Sequence, residues 1–440
     1  MILKNSISPL FTDFYELTMM AGYFKNKMNK EAVFSVSLRL DEKRNFFVFS
    51  GLETVLNWIL NLKFSEEEID FLKSMEMFED DFLDWLKNYK FTGEIISMDE
   101  GEIFFGNEPV MEITAPIMEA QLLETMVVNA INFESMIATK AARCIFSSKN
   151  IPISDFASRR TQGIDAGIKT ARSSYLAGFT GTSNVLASKL YSIPVTGTMA
   201  HSFVTAFENE KDSFYAFSKT FPDHSVLLID SYDTIKGAKT AVKIAKIMES
   251  EGKKLVGVRL DSGDMAKLSK EVRKILDKNN LSYVKIFASG GFDEYKIKKT
   301  IESKAQIDAF GVGTSMGVSS DSPYHNTVFK LCRFDGRNVK KLSKNKQTLA
   351  GTKQVYRFFD ENLFMTKDII GTRNENFENA SKILKLKLKN GKLIEKLKGV
   401  EHSRNNFKLN FKKLPCQYKE IDSKSNFPVT ISENLNLLQL

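Results

Sequence analysis

Cysteine is scarce in this chain: Cys144, Cys332 and Cys416 are the only three in 440 residues. They are odd in number, far apart and in no C-x-x-C spacing, which argues against a disulfide framework and a structural zinc site. A reducing cytoplasm is the expected setting. Long apolar runs are also missing. The N-terminal region around Ile7 to Tyr23 is apolar, but Asp13 and Glu16 interrupt it and no basic segment leads into a clean apolar core. Neither a secretory leader nor a membrane span is expected. No solenoid repeat or low-complexity tract stands out apart from one lysine-leucine stretch.

What is present is ordinary globular material, 42% hydrophobic and 26% charged, enough for two domains or a barrel with an attached domain. The net charge of +8, from 62 basic and 54 acidic residues, raises the question of nucleic acid. Much of the excess lies in Lys382 to Lys398, where Lys385, Lys387 and Lys389 alternate with Leu384, Leu386 and Leu388 before Asn390-Gly391. Period 2 broken by Asn-Gly predicts a β-hairpin with a primed turn and solvent-facing lysines. No aromatic interleaving or recognition-helix pattern accompanies them, so nucleic acid is not an expected partner; with no apolar stretch of about 18 residues, neither is a membrane.

The chain reads as three parts. Residues 1–118 mix helix (Phe11 to Phe24, Leu52 to Leu62, acidic helices within Glu66 to Tyr89) with strand (Ala32 to Leu40, Phe91 to Ile117) in one α+β domain. Residues 119–325 begin with a long helix to Phe146. Short apolar runs then end in polar or glycine clusters: Ile151 to Phe156, Ala177 to Thr182, Ile193 to Thr198, Val226 to Asp230, Lys254 to Asp261, Val284 to Ser289 and Ile307 to Gly313. Helical segments such as Thr234 to Ser250, Ala266 to Asn279 and Asp293 to Lys304 separate most of them. Repeated βα units predict an α/β fold, an irregular TIM-like barrel. Residues 326–440 turn antiparallel, with a second hairpin signal at Asp335-Gly336, and are expected to pack on the N-terminal domain.

The polar clusters sit where such barrels bind phosphorylated ligands. Gly290-Gly291 and Gly313-Thr314-Ser315 follow the last two strand-like runs, where bare backbone N–H groups approach an anion. Period 2 places Arg259 and Asp261 on one face of a strand end: an arginine fork for phosphate and a carboxylate for sugar hydroxyls or magnesium, or else a structural ion pair between the two. Of Arg159 and Arg160, extended backbone lets only one face the barrel mouth. Four histidines occur, and His201 alone follows a strand-like run into a small-residue loop, as general base, metal ligand or phosphoryl acceptor, or else as a hydrogen-bonded structural residue, which a lone histidine more often is.

The ordered set Thr12-Asp13-Phe14-Tyr15, Asp155 to Arg160, Gly197 to His201, Asp230-Ser231-Tyr232-Asp233, Gly257 to Asp264 and Gly311 to Ser315 closely resembles the nicotinate phosphoribosyltransferases, from about residue 8 to residue 330. The resemblance implies a reaction of nicotinate with phosphoribosyl pyrophosphate, giving nicotinate mononucleotide and pyrophosphate, with ATP hydrolysed as co-substrate and Mg2+ as cofactor. It implies that His201 is transiently phosphorylated and that Asp230 orients its ring. Phe156 would sandwich the base with Tyr15, the latter arriving from the second subunit of a homodimer with a shared active site. Arg159 and Arg259 would line the base and phosphoribosyl sites, Asp261 the ribose, and Gly290, Gly291, Gly313, Thr314 and Ser315 the 5′-phosphate. Ser183 stands where nicotinamide-using relatives carry an aspartate, which favours the acid over the amide. Two departures stand out: Ala200 precedes His201 where those relatives have an acidic residue, and the loop from Ser289 to Phe292, ahead of Asp293, lacks the asparagine or aspartate that some members place there. Transferases of nicotinamide or quinolinate, and a non-catalytic polyanion-binding protein, are the alternatives.

Overall fold

Glu31–Leu38, rich in β-branched and aromatic residues, forms an interior strand of a seven-stranded sheet in the computed structural model, which describes residues 8–341, 348–423 and 425–439. Its neighbours are Pro109–Pro116 and, from far along the chain, Thr327–Phe334, both antiparallel. Val36 lies opposite Met111 on one side and Phe329 on the other, and all three are buried. Contacts divide the chain into two units, Met1–Thr139 with Ser322–Leu440, and Lys140–Asp321.

In the first unit, helix Leu52–Asn61 buries Val55, Leu56, Trp58 and Ile59, and helix Glu66–Ser74 starts with a Ser65/Glu68 capping box. A four-stranded sheet is built from Ala380–Lys382, Lys353–Phe359, Met365–Thr372 and Val429–Ile431. The lysine-leucine hairpin forms, Lys385–Lys389 against Lys392–Leu393, with Asn390 and Gly391 at φ 52° and 68°; Lys385 and Lys389 face solvent as expected, but the Lys387 side chain is only 16% exposed. The hairpin is also part of the large sheet, paired with Glu94–Ser97, and Lys385 and Lys387 both contact Asp99. Asp335-Gly336 makes the second hairpin turn.

The second unit carries a six-stranded, all-parallel sheet in the order Gly181–Thr182, Ile153–Asp155, Ala309–Val312, Lys285–Ala288, Gly257–Leu260, Val226–Leu228. Helices follow the strands, among them Thr234–Ser250, Met265–Lys278 and Glu294–Glu302. Asp233, Asp264 and Asp293 cap these three, each accepting a hydrogen bond from the backbone N–H of Lys236, Lys267 or Lys296. Two expectations need correction here. Ile193 to Thr198 is not a strand: Pro194 lacks an N–H, Ser192 takes φ 57°, and the run contributes a single parallel bridge, Thr182 to Val195. Consequently the edge strands are left unpaired with each other, and no closed barrel occurs among the described residues. The fold shown is mixed α/β with a parallel sheet.

Candidate active site

The carboxyl ends of the parallel strands carry the site. At the end of Ile153–Asp155, the buried Asp155 accepts from Ala157 N–H at 2.8 Å and from Thr182 Oγ1 at 2.7 Å, tying the turn to the neighbouring strand. Burial pushes its carboxyl up to about 6, with those two hydrogen bonds pulling the other way. This turn delivers Phe156, whose N–H bonds Val312 O at 2.8 Å and whose ring packs against Gly311. A Cβ on Gly311 would come within 2.5 Å of that ring, so glycine is what permits the approach.

Phe156, Thr198, Arg259, Phe287, Ser289 and Gly311 are among the residues around a cavity of about 200 Å³. Arg259 donates from Nη1 to Thr198 Oγ1 at 2.6 Å, while its Nε is buried with no partner among the described residues. Burial lowers its pKa; Asp261 and Asp230 oppose that and Arg159 adds to it, which places four charged groups within electrostatic reach of one another. The ion pair between Arg259 and Asp261, one of the two readings of that strand end, does not form.

Asp261 instead accepts from Ser289 Oγ, and its other oxygen lies 3.9 Å from His201 Nε2. His201 opens helix His201–Thr205 with its ring 45% exposed, and Nδ1 is 3.0 Å from Ser231 Oγ. Asp230, expected to orient that ring, does not reach it. One of its oxygens accepts from Asp261 N–H (3.0 Å) and Ser262 Oγ (2.6 Å), bracing the next strand end, and the other is buried without a partner among the described residues. The hydroxyl one position along, Ser231, is the group within hydrogen-bond distance of that ring. Among the residues that sequence reasoning left without a role, Ser231, Thr198 and Ser289 all touch the charged groups; a lone serine or threonine in a loop carries no signal that would have singled it out.

The remaining expected residues fall as follows. Gly290 has φ 94°, and its backbone packs so closely on Asp261 O that a Cβ would overlap it at 1.9 Å. Gly291 follows in the same turn, and Lys296 Nζ holds Gly290 O at 2.6 Å. Gly313 precedes the short helix Thr314–Gly317, which contains Thr314 and Ser315. Ser183 is exposed, with its N–H on Asp155 O at 2.8 Å. Arg159 and Arg160 lie in the 3-10 turn Ser158–Arg160 and are both exposed, so the alternation expected of extended backbone does not apply to them. Tyr15 belongs to the first unit, on helix Phe14–Lys25, and is 47% exposed.

The chain is similar to known proteins over most of its length. The family description "nicotinate phosphoribosyltransferase (NAPRTase) N-terminal domain" matches residues 10–132, and that of the "nicotinate phosphoribosyltransferase (NAPRTase) family" matches residues 151–363. The chain is 37% identical over 437 residues to a nicotinate phosphoribosyltransferase of Mycobacterium tuberculosis, covering 99% of this chain and 94% of that protein. It is 36% identical over 367 residues to that of Bacillus subtilis, covering 81% and 74%. The crystal structure of human nicotinic acid phosphoribosyltransferase is similar in fold, with a TM-score of 0.87 at 24% identity over 97% of this chain and 99% of the human one.

Proposed function

The chain belongs to the nicotinate phosphoribosyltransferase family, enzymes of NAD biosynthesis, and on that basis we propose how its strand-end site works. The observation that carries the reading is the group formed by Arg259, Asp230, Asp261, His201 and Ser231 beside a cavity walled by Phe156.

The pyridine nitrogen of nicotinate already holds a lone pair, so joining it to C1 of the ribose needs no general base. It needs orientation and stabilisation of the departing pyrophosphate. Phe156 supplies a flat apolar wall for the ring. Arg259, whose Nε has no partner among the described residues, supplies a cation for a carboxylate or phosphate. The turns at Gly290-Gly291 and Gly313 to Ser315 offer backbone N–H groups to the 5′-phosphate, and Arg159 adds positive charge. Ser183 is the proposed selector of acid over amide. Tyr15 completes the base site from a second subunit; Phe11 and Phe14, each 44% exposed, give its surroundings the apolar character of an interface.

ATP enters through His201. When Nδ1–H donates a hydrogen bond to Ser231 Oγ, Nε2 keeps its lone pair and attacks the γ-phosphorus; the Nε2–P bond forms, the bridging P–O bond breaks and ADP leaves. Water later cleaves the phosphohistidine to phosphate. Magnesium suits this site: Asp230 presents a buried oxygen without a partner among the described residues and Asp261 a second carboxylate nearby, a sparse set appropriate to an ion that takes its other ligands from phosphates and water. When bound, it neutralises phosphate charge. Ser154, Val226, Arg259, Phe287 and Ala309, from five strands, line the same cavity, which supports a parallel sheet curled into an incomplete barrel. Three unpaired thiols suit the reducing cytoplasm.

The test supplies phosphoribosyl pyrophosphate and magnesium with nicotinate, nicotinamide or quinolinate, each with and without ATP. Mononucleotide from nicotinate, stimulated by ATP, is the expected product. Preferred turnover of another base would overturn the role of Ser183, and no transfer from any base would overturn the reading itself.

A further inference from the structure

Lys140 and Arg143, on helix Glu124–Ser147, reach into the segments that follow both glycine turns. Lys140 Nζ lies 2.6 Å from Glu294 and 2.6 Å from Asp321, and the side chains of Lys140 and Glu294 are both 0% exposed. Arg143 Nε donates to the other oxygen of Glu294 at 2.8 Å and its Nη2 to Tyr295 Oη at 3.0 Å. Glu294 is the first residue of the helix that leaves the Gly290-Gly291 turn, and the same helix carries Lys296, whose ammonium holds Gly290 O. Asp321 lies just beyond the short helix that leaves Gly313.

Two cations and two carboxylates balance, but taking Lys140, Arg143 and Glu294 out of water costs several kcal/mol per ion, Asp321 staying 26% exposed, and apolar side chains of like volume would hold the helices together as firmly. What an ion-pair cluster adds is fixed direction and spacing. We propose that Lys140 is a positioning residue for phosphoribosyl pyrophosphate: by gripping Glu294 and Asp321 together it sets the separation of the Gly290-Gly291 and Gly313 to Ser315 turns, without touching substrate. This rests on the proposed function, in which both turns bind the 5′-phosphate.

The experiment uses the full chain with Lys140→Met, and with Lys140→Met/Asp321→Asn, which leaves Glu294 paired with Arg143 and no carboxylate charge on Asp321 opposite the missing lysine. Initial rates are measured against each substrate, with thermal unfolding and calorimetric titration of phosphoribosyl pyrophosphate alongside. The KM and Kd for phosphoribosyl pyrophosphate should rise on the order of tenfold, while kcat and the nicotinate KM hold within about twofold. The double variant should regain much of the lost stability yet keep the weakened binding, a split that a merely structural role would not produce. If Lys140→Met does not fold, the double variant decides. Unchanged binding in a folded variant, or a parallel fall of all kinetic parameters and melting temperature, would overturn the proposal. Should the wild type fail to convert nicotinate, the functional reading falls, and the titration still judges the network by whether the variants bind phosphoribosyl pyrophosphate as the wild type does.

Discussion

Replacing Gly311 with alanine tests the base site at its tightest contact. The new Cβ would stand 2.5 and 2.6 Å from two carbons of the Phe156 ring and 3.2 Å from Ser289 Cβ. Carbon atoms pack at about 3.5–4.0 Å, so the ring must withdraw by roughly 1 Å. It has room to do so, because Phe156 is only half-buried and borders the cavity. Overpacking of this kind costs about 1–3 kcal/mol in a closed core; with an open side, the low end of that range is expected. The kinetic loss should be larger than the stability loss, since a misplacement of about 1 Å near the reacting atoms costs up to roughly a hundredfold. The assay is kcat and KM for nicotinate at saturating phosphoribosyl pyrophosphate, with the melting temperature of the same preparations. A rise in nicotinate KM with a fall in kcat, at nearly native melting temperature, is the expected result. Unchanged kinetics in a folded Gly311→Ala enzyme would refute the assignment of Phe156 to the base.

Ser231→Ala should lower ATP hydrolysis about ten- to a hundredfold while nicotinate mononucleotide still forms without coupling; equal loss of both activities would argue against Ser231 as the partner that sets the His201 tautomer. Asp155→Asn probes linkage. The folded carboxyl is raised to about 6 from an ordinary 3.8, so the folded state holds the proton more tightly and stability falls as pH rises between those values. That fall is on the order of 3 kcal/mol, and denaturant melts at pH 4 and pH 7 should show it in the wild type and not in Asp155→Asn. Ser183→Asp places a carboxylate near the proposed carboxylate of the substrate; at an exposed position the loss in kcat/KM for nicotinate should be roughly tenfold, with nicotinamide gaining relative to it. Equal effects on both bases would remove Ser183 from specificity.

Much of the architecture could be read along the chain. Thr234–Ser250 is helical over the limits expected, because apolar residues recur at helical spacing and Asp233 caps its start. Two hairpin turns with consecutive positive-φ residues, Asn390-Gly391 and Asp335-Gly336, carry signals that need no tertiary help. Ile193 to Thr198 shows where such reading stops: its apolar content resembles that of its neighbours, but pairing depends on whether another strand lies alongside, and only Val195 finds one. The unit boundary between Thr139 and Lys140 was likewise beyond pattern, since helix Glu124–Ser147 runs through it unbroken. Its first half joins the core of one unit through Met126, Val127, Ala130 and Ile131, and its second half, already part of the other, directs Lys140 and Arg143 to Glu294.

The repeated βα order, the two glycine turns and the residue types of the site were legible in the order of residues alone, because they follow from local propensity, capping and backbone freedom. The pairings belong to the folded molecule. Which hydroxyl meets His201, which oxygen of Asp230 braces Asp261 and which stays bare, and whether Arg259 pairs with Asp261 or with Thr198 all depend on distances between residues remote in the chain. Those distances are set by the packing of strands and helices, which a one-dimensional pattern of residue types does not contain.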